Sequence, residues 1–249
     1  MSKYGLLGRK LSHSKSKIIH EFFFETNNVD ASYDLIEIEE EQILETLNLL
    51  RNGVYQGYNV TIPYKEKVIK YLDELSDAAN MIGAVNTIYL KEGKLFGDNT
   101  DYLGFIEQLK EENIDVNGKD VFVLGGGGAS KAICYALRKL NANPIVVSRD
   151  KNKGITYDEM TNIDSFYLIV NTTPVGMFPN VDGEILPKSI VKKASFCIDI
   201  ICNPKVTKFL EYSAIGYNGI PMLVFQAVYA EKLWGNDLEF KTKELFEKL

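Results

Sequence analysis

The chain has 249 residues, 45% hydrophobic and 25% charged, enough for one large packed core or two modest ones and ordinary for a soluble globular protein. A formal net charge of −6 argues against a broad nucleic-acid surface, while a local basic cluster can still hold a phosphate. No apolar run approaches a membrane span and Met1–Arg9 carries no secretory pattern, so the expected setting is the cytoplasm without membrane attachment. Cys134, Cys197 and Cys202 are odd in number, lack metal-type spacing and suit a reducing compartment, with Cys134 and Cys197 read as small core residues. His13 and His20 are too few and too close together to imply a metal site.

In chain order, Lys3–Gly8 reads as a short strand and Ser14–Thr26 as a helix with Ile18, Ile19, Phe22 and Phe23 on one face. Tyr33–Ile38 is a strand, followed by a helix over Glu40–Leu50 with Ile43, Leu44, Leu47 and Leu50 inward. Tyr58–Ile62 is a strand closed by Pro63, after which Tyr64–Leu75 reads as helix. Val85–Leu90 and Lys94–Gly97 flank the turn Lys91–Gly93 as a hairpin. Asp101 opens a helix whose Tyr102, Phe105, Ile106 and Leu109 share a face. Then come strand Val121–Leu124, a glycine turn, helix Ala129–Leu140 and strand Ile145–Ser148. Later strands are Tyr167–Asn171 and Phe196–Ile201, with helical stretches at Leu186–Lys193, Lys205–Ile215 and Leu223–Trp234. Alternating strands and helices predict an α/β protein with parallel sheets covered on both faces. Two such systems meeting near Asp98–Asp101 predict two domains with a cleft between them.

The most distinctive local pattern is Val121–Ile133, VFVLGGGGASKAI, which runs strand, glycine turn, helix. Gly125, Gly127 and the small Ser130 match the spacing of a dinucleotide-binding turn. There, glycines let the backbone bend and approach a pyrophosphate, and the helix start favours an anion. Gly126, Gly128 and Ala129 complete the turn, and Ala132, Ile133, Ala136 and Leu137 form the inward face of the helix. The next strand ends in Ser148-Arg149-Asp150-Lys151-Asn152-Lys153. Ser148, Arg149 and Lys153 favour the 2′-phosphate of NADP, whereas Asp150 would repel it and leaves NAD as an alternative. A nicotinamide dinucleotide here implies hydride transfer to a small polar substrate.

Polar residues also gather in the first half. Ser14 and Ser16 stand at a helix entrance, where hydroxyls and helix N–H groups can either receive a carboxylate or simply cap the helix. Lys65 and Asp101 form an acid–base and ion pair if the fold joins them. A ketone accepting hydride develops oxyanion charge and takes up a proton, both of which a carboxylate-held lysine can meet.

Five segments carry a more specific signal: NVTIPYK (Asn59–Lys65), GAVNT (Gly83–Thr87), DNTD (Asp98–Asp101), GGGGAS (Gly125–Ser130) and NTTPVGM (Asn171–Met177). DIICNPKVTKFL (Asp199–Leu210) and MLVFQA (Met222–Ala227) add weaker support. In this order, over Gly8 to about Trp234, the chain resembles the shikimate dehydrogenases. The resemblance implies an N-terminal α/β substrate domain, residues 1–100 completed by helices in 222–249, and a Rossmann-type doubly wound NADP-binding domain over 101–221.

It further implies reversible NADPH-dependent reduction of 3-dehydroshikimate to shikimate, a small-molecule substrate, in aromatic amino-acid biosynthesis; no exposed apolar stripe in the sequence chooses between a monomer and a homodimer. By the same resemblance, Ser14 and Ser16 hold the substrate carboxylate. Asn59, Thr61, Asn86, Asp101 and Gln226 bond the ring hydroxyls, and Lys65 and Asp101 are the catalytic pair. Thr172, Met177 and Met222 lie along the nicotinamide half of the cofactor.

Some positions depart from the family pattern. Lys17 follows Ser16 where proline is usual, Cys202 replaces a tyrosine before Asn203-Pro204, and Pro221 replaces a common glycine. Ser148-Arg149-Asp150 stands for Asn-Arg-Thr. Asp150 and Cys202 motivate an NAD-using quinate/shikimate dehydrogenase as one alternative. A non-catalytic metabolite- or cofactor-sensing module is another, and the intact Lys65/Asp101 pair argues against it.

Overall fold

Tyr4–Gly8 is buried at five consecutive positions, the mark of a strand covered on both faces. The computed structural model describes residues 1–249 and divides into two units, Met1–Gly104 with Leu223–Leu249, and Phe105–Met222.

The first unit begins with β1 (Ser2–Gly8), α1 (Ser16–Thr26), β2 (Ala31–Glu37), α2 (Ile43–Arg51) and β3 (Gly57–Val60). It continues through β4 (Glu74–Leu75), α3 (Asp77–Ile82), β5 (Thr87–Lys91) and β6 (Lys94–Asp98) to the start of α4 (Asp101–Glu111). Its six strands lie in the order β2-β1-β3-β5-β6-β4. The β1–β2, β1–β3 and β4–β6 pairs are parallel, but β3–β5 and β5–β6 are antiparallel, so this sheet is mixed. The expected hairpin is β5–β6.

One face of the sheet packs Leu7, Tyr58, Val60 and Ile88 against Ile43, Leu47 and Leu50 of α2. A second cluster joins Tyr4, Leu6, Phe24 and Tyr33 to Trp234. Trp234 leaves no room for a side chain on β3: a Cβ at Gly57 would lie 2.1 Å from its indole nitrogen.

Three expectations need correction. Ile18 is 53% exposed, because Ser16, Ile19, His20 and Phe23 define the inward line of α1 and Ile18 falls on the opposite side. Leu44 is 51% exposed for a similar reason: Ile43, Leu47 and Leu50 centre the buried stripe of α2. Tyr64–Leu75 is not one helix but a turn, a 3-10 segment at Lys67–Tyr71 and then β4. The Asp73 N–H donates to the Leu95 carbonyl at 3.0 Å, and its carboxylate accepts from Leu95 N–H and Arg51, each at 2.7 Å. These bonds draw the chain into the sheet beside β6, a tertiary pairing that outweighs local helix preference.

The second unit contains β7 (Asp120–Leu124), α5 (Gly128–Lys139), β8 (Asn143–Val147) and β9 (Phe166–Asn171). It continues with α6 (Lys188–Val191), β10 (Ala194–Asp199), α7 (Lys208–Tyr212) and β11 (Gly216–Asn218). All four strand pairs are parallel, in the order β8-β7-β9-β10-β11. This is the 2-1-3-4-5 order of a doubly wound sheet, whose ligand crevice lies outside the strand ends where the order reverses, here between β7 and β9. Ala132, Ile133, Ala136 and Leu137 of α5 are fully buried, as their spacing requires. Cys134 and Cys197 are buried core thiols. The expected helix over Lys205–Ile215 contracts to α7, and the following residues join the sheet as β11.

The division between units falls within α4 and within α8 (Ile220–Leu233), after which α9 (Thr242–Lys248) completes the first unit. No helix is long and apolar enough to cross a membrane.

Candidate active site

Lys65 sits in the turn after β3, where its carbonyl accepts the Val85 N–H at 2.7 Å. Asp101 opens α4, its N–H bound to Asn99 Oδ1 at 3.1 Å, and a carboxylate in a first helical turn is favoured by the helix dipole. Lys65 Nζ donates to Asp101 Oδ2 at 2.6 Å, with side chains 17% and 8% exposed. Reduced water contact strengthens such a pair relative to one on the surface.

Asn86 holds the other carboxylate oxygen. Its Nδ2 donates to Asp101 Oδ1 at 2.8 Å and also contacts Gln226 Oε1 and Thr100 Oγ1 at 3.3 and 3.0 Å. Its Oδ1 accepts from the Thr100 N–H at 2.7 Å and from Thr87 Oγ1 at 3.0 Å. Asn59 lies one step further out, donating through Nδ2 to Thr87 Oγ1 and the Asn86 carbonyl, each at 3.2 Å. Thus Asn59, Lys65, Asn86, Asp101 and Gln226, far apart in sequence, belong to one hydrogen-bonded cluster inside the first unit.

Thr61 is half-buried next to this cluster in the chain, its N–H bonded to the Leu7 carbonyl at 2.9 Å. Ser14 Oγ accepts the Ser16 N–H at 3.2 Å, a local turn at the entrance of α1, and Ser16 is 7% exposed. No bond joins these two serines to the Lys65–Asp101 cluster. Thr87 and Thr100 were not singled out by sequence, although they lie inside the GAVNT and DNTD segments. Buried Tyr33 carried no sequence signal beyond its place in a strand.

In the second unit, Gly125 follows β7 with φ +107°, a conformation few side chains tolerate, and a Cβ there would lie 2.8 Å from Thr172 Oγ1. Ser130 Oγ donates to the Gly125 carbonyl at 2.7 Å, so this hydroxyl fastens the turn from within. Gly127 precedes α5, whose first N–H groups have no acceptor within the helix, the feature that lets a helix start receive an anion.

The loop after β8 folds back on itself: Ser148 N–H bonds the Ile155 carbonyl at 2.9 Å, and Ile155 N–H bonds the Val146 carbonyl at 3.0 Å. That return lays Lys153 over the glycine turn, where a Cβ on Gly126 would meet Lys153 Cδ at 2.9 Å and Ser148 Oγ at 3.8 Å. Arg149 is exposed beside them. Asp150 is engaged by its own loop, with Oδ1 accepting from Asn152 N–H and Nδ2 at 3.0 and 3.1 Å. A bare backbone cradle flanked by a hydroxyl, an ammonium and a guanidinium fits a phosphorylated dinucleotide.

Thr172 Oγ1 donates to the Leu124 carbonyl at 2.6 Å and ties β9 to the end of β7. Met177 is 43% exposed, whereas Met222 in the first turn of α8 is 6% exposed. Beneath these loops Asp199 is fully buried, accepting from Thr207 Oγ1 at 2.6 Å and from Asn171 Nδ2 and Ile201 N–H at 3.1 Å each. Burial pushes its carboxyl up to about 6 against the opposing effect of these donors. No cluster of His, Cys, Asp and Glu could hold a metal ion.

The family model described as the shikimate dehydrogenase substrate binding domain matches residues 6–88. The shikimate dehydrogenase (NADP(+)) of Clostridium perfringens strain 13 is 41% identical, over 100% of this chain and 98% of its own. A crystal structure of shikimate dehydrogenase 1 from Peptoclostridium difficile superposes with a TM-score of 0.90 at 40% identity, covering 99% of this chain and 96% of that one. A shikimate 5-dehydrogenase from Thermus thermophilus, solved with NADP(H) and shikimate, gives a TM-score of 0.88 at 31% identity, over 98% and 97% of the two chains. With this identity spread over its full length, the chain belongs to the shikimate dehydrogenase family.

Proposed function

We propose that this protein is an NADP-dependent oxidoreductase that reversibly reduces 3-dehydroshikimate to shikimate, a step toward aromatic amino acids. The observation that carries this reading is the Lys65–Asp101 pair, assembled with Asn59, Asn86 and Gln226 in one polar cluster. Its relatives share that activity by name at about 40% identity.

In the proposed reaction, Asn59, Thr61, Asn86, Asp101 and Gln226 bind the ring hydroxyls, and Ser14 and Ser16 receive the carboxylate at the start of α1. Lys65 gives its proton to the oxygen that develops charge as the ketone is reduced, and takes it back in the reverse direction. Asp101 holds the ammonium in place through Oδ2 while Asn86 fixes Oδ1, so the proton donor has one orientation.

NADP(H), when bound, supplies or accepts the hydride. Gly125–Gly128, Ala129 and Ser130 form its pyrophosphate turn; Ser148, Arg149 and Lys153 receive the 2′-phosphate; Thr172, Met177 and Met222 line the nicotinamide half. The orientation of Lys153 over Gly126, together with the internal bonding of Asp150, supports NADP over NAD. The domain assignment follows: the first unit carries substrate recognition and proton transfer, the second the cofactor. Buried thiols suit a reducing cytoplasm, and a monomer or homodimer suffices because the polar cluster is complete in one chain.

Initial rates with shikimate and with quinate, each with NADP⁺ and with NAD⁺, test this reading. Fast NADP⁺ reduction with shikimate is expected. Equal use of quinate with a clear preference for NAD⁺, or binding without turnover, would overturn it.

A further inference from the structure

The polar cluster does not end at Asn59. Tyr33, fully buried on β2, donates its hydroxyl to Asn59 Oδ1 at 2.7 Å. An asparagine amide is nearly symmetric in shape, so its orientation is decided by which neighbours donate and which accept. A hydroxyl on one side and the Asn86 carbonyl on the other leave Asn59 one arrangement: oxygen to Tyr33, amine to Asn86 and Thr87.

Asn59 thereby meets a second amide whose direction is fixed. Thr87 Oγ1 accepts from Asn59 and lies 3.0 Å from Asn86 Oδ1, while the Thr100 N–H at that oxygen and Asp101 Oδ1 at the amine orient Asn86, and the other Asp101 oxygen holds Lys65. Reversing the Asn59 amide would set its oxygen against the Asn86 carbonyl and compete for the Thr87 proton.

The Tyr33 ring is itself held. His20 of α1 stacks flat on it, with centroids 4.1 Å apart and planes 4° apart. Both His20 and Glu231 of α8 are completely buried and paired through His20 Nδ1, and Asn236 Nδ2 bonds the second Glu231 oxygen at 2.5 Å. Burial, with the Glu231 charge nearby, raises the Tyr33 hydroxyl well above its usual range and keeps it protonated.

We propose that Tyr33 is a positioning residue for the reaction: its hydroxyl satisfies Asn59 Oδ1 and so holds Asn59 against Thr87 and Asn86, the residues that lead to Asp101, and His20, stacked on the ring and paired with Glu231, holds that hydroxyl in place. This rests on the substrate-site reading given above for Asn59.

The test is a cycle of Tyr33→Phe, Asn59→Ala and the double variant, read by kcat/KM for shikimate, by KM for NADP⁺ and by the side-chain amide resonances of Asn59. Tyr33→Phe keeps the ring and its stack, and is expected to lower kcat/KM for shikimate about tenfold without changing KM for NADP⁺. In the Asn59→Ala background the same substitution is expected to have no further effect, and the Asn59 amide protons, slowly exchanging in the wild type, should broaden or exchange fast in Tyr33→Phe. Unchanged kcat/KM, additive losses in the double variant, or an unaltered Asn59 amide would overturn the proposal. If Asn59→Ala itself leaves shikimate kinetics intact, the substrate-site reading fails instead, while the amide signal still reports on positioning. Should Tyr33→Phe not fold, Thr87→Val interrupts the same chain two bonds further on; it must lower kcat/KM comparably, and wild-type kinetics in it would equally reject the proposal.

Discussion

The two units, in the roles proposed for them, would hold a charged or polar ligand in opposite ways. In the first, side chains do the work: one ion pair and the amides and hydroxyls of Asn59, Asn86, Thr87, Thr100 and Gln226 fix one another, nearly all of them buried. In the second, the glycine turn presents backbone at the start of a helix, and side chains enter only around its rim. A side-chain cluster is specific and brittle, because each member leaves a partner unsatisfied when it is removed. A backbone cradle depends on chain conformation and tolerates change at its rim.

This contrast is sharpest at the ion pair. Asp101→Asn should lower kcat by about 10²–10³ with a smaller change in KM, the range for a misplaced general acid; steady-state kinetics with shikimate check it, and near-normal turnover would remove Asp101 from the proton step.

The second unit has one buried charge of its own. The Asp199 carboxyl stands near 6 in the fold against 3.8 as its ordinary value. A raised acid keeps its proton in the folded state after the unfolded chain has released it. Its cost is therefore absent below about pH 4, grows as pH rises through 6 and reaches about 3 kcal/mol at neutral pH. Denaturant titrations of Asp199→Asn and wild type across pH 4–7 should show their stability difference shifting by about that amount in favour of Asn. A pH-independent difference would contradict the assignment.

Within the cradle itself, Gly125→Ala imposes a side chain at φ +107° against Thr172. Strain of about 1–3 kcal/mol should raise KM for NADP⁺ by about 5–150-fold and leave KM for shikimate nearly unchanged. A parallel rise in both would show that the two units are not separable in this way. The smallest effect belongs to the rim: Lys153→Ala should weaken NADP⁺ by about fivefold to tenfold and NAD⁺ hardly at all, as expected for one partly exposed charge contact. Isothermal titration with both dinucleotides makes the comparison.

The same contrast explains what could be read from sequence. The glycine turn is contiguous, so VFVLGGGGASKAI announces strand, turn and helix together, and the inward face of α5 follows from spacing alone. Lys65 and Asp101 were legible as chemistry, and their pairing was a condition the fold had to meet. The expected helix around Lys65 is instead a turn, because Asp73 binds Leu95 and Arg51 across the sheet, contacts that no local pattern carries. Ile18 and Leu44 show the limit of helical periodicity: each is apolar and near the buried stripe in sequence, yet only packing decides where the stripe is centred. Tyr33 and His20 were invisible as parts of the site, since their importance lies in bonds and stacking to residues on other elements. Thr87 and Thr100 sat inside recognised segments, so their role was within reach of the sequence.

Lys65, bonded to Asp101, is the proposed proton donor, and its role is distinct from that proposed for the glycine turn. The direct measurement is turnover of shikimate by Lys65→Ala alongside its affinity for NADP⁺, measured by fluorescence titration. The prediction is wild-type NADP⁺ affinity with kcat reduced by at least the factor expected for Asp101→Asn. Near-wild-type kcat in a protein that binds NADP⁺ normally would contradict it.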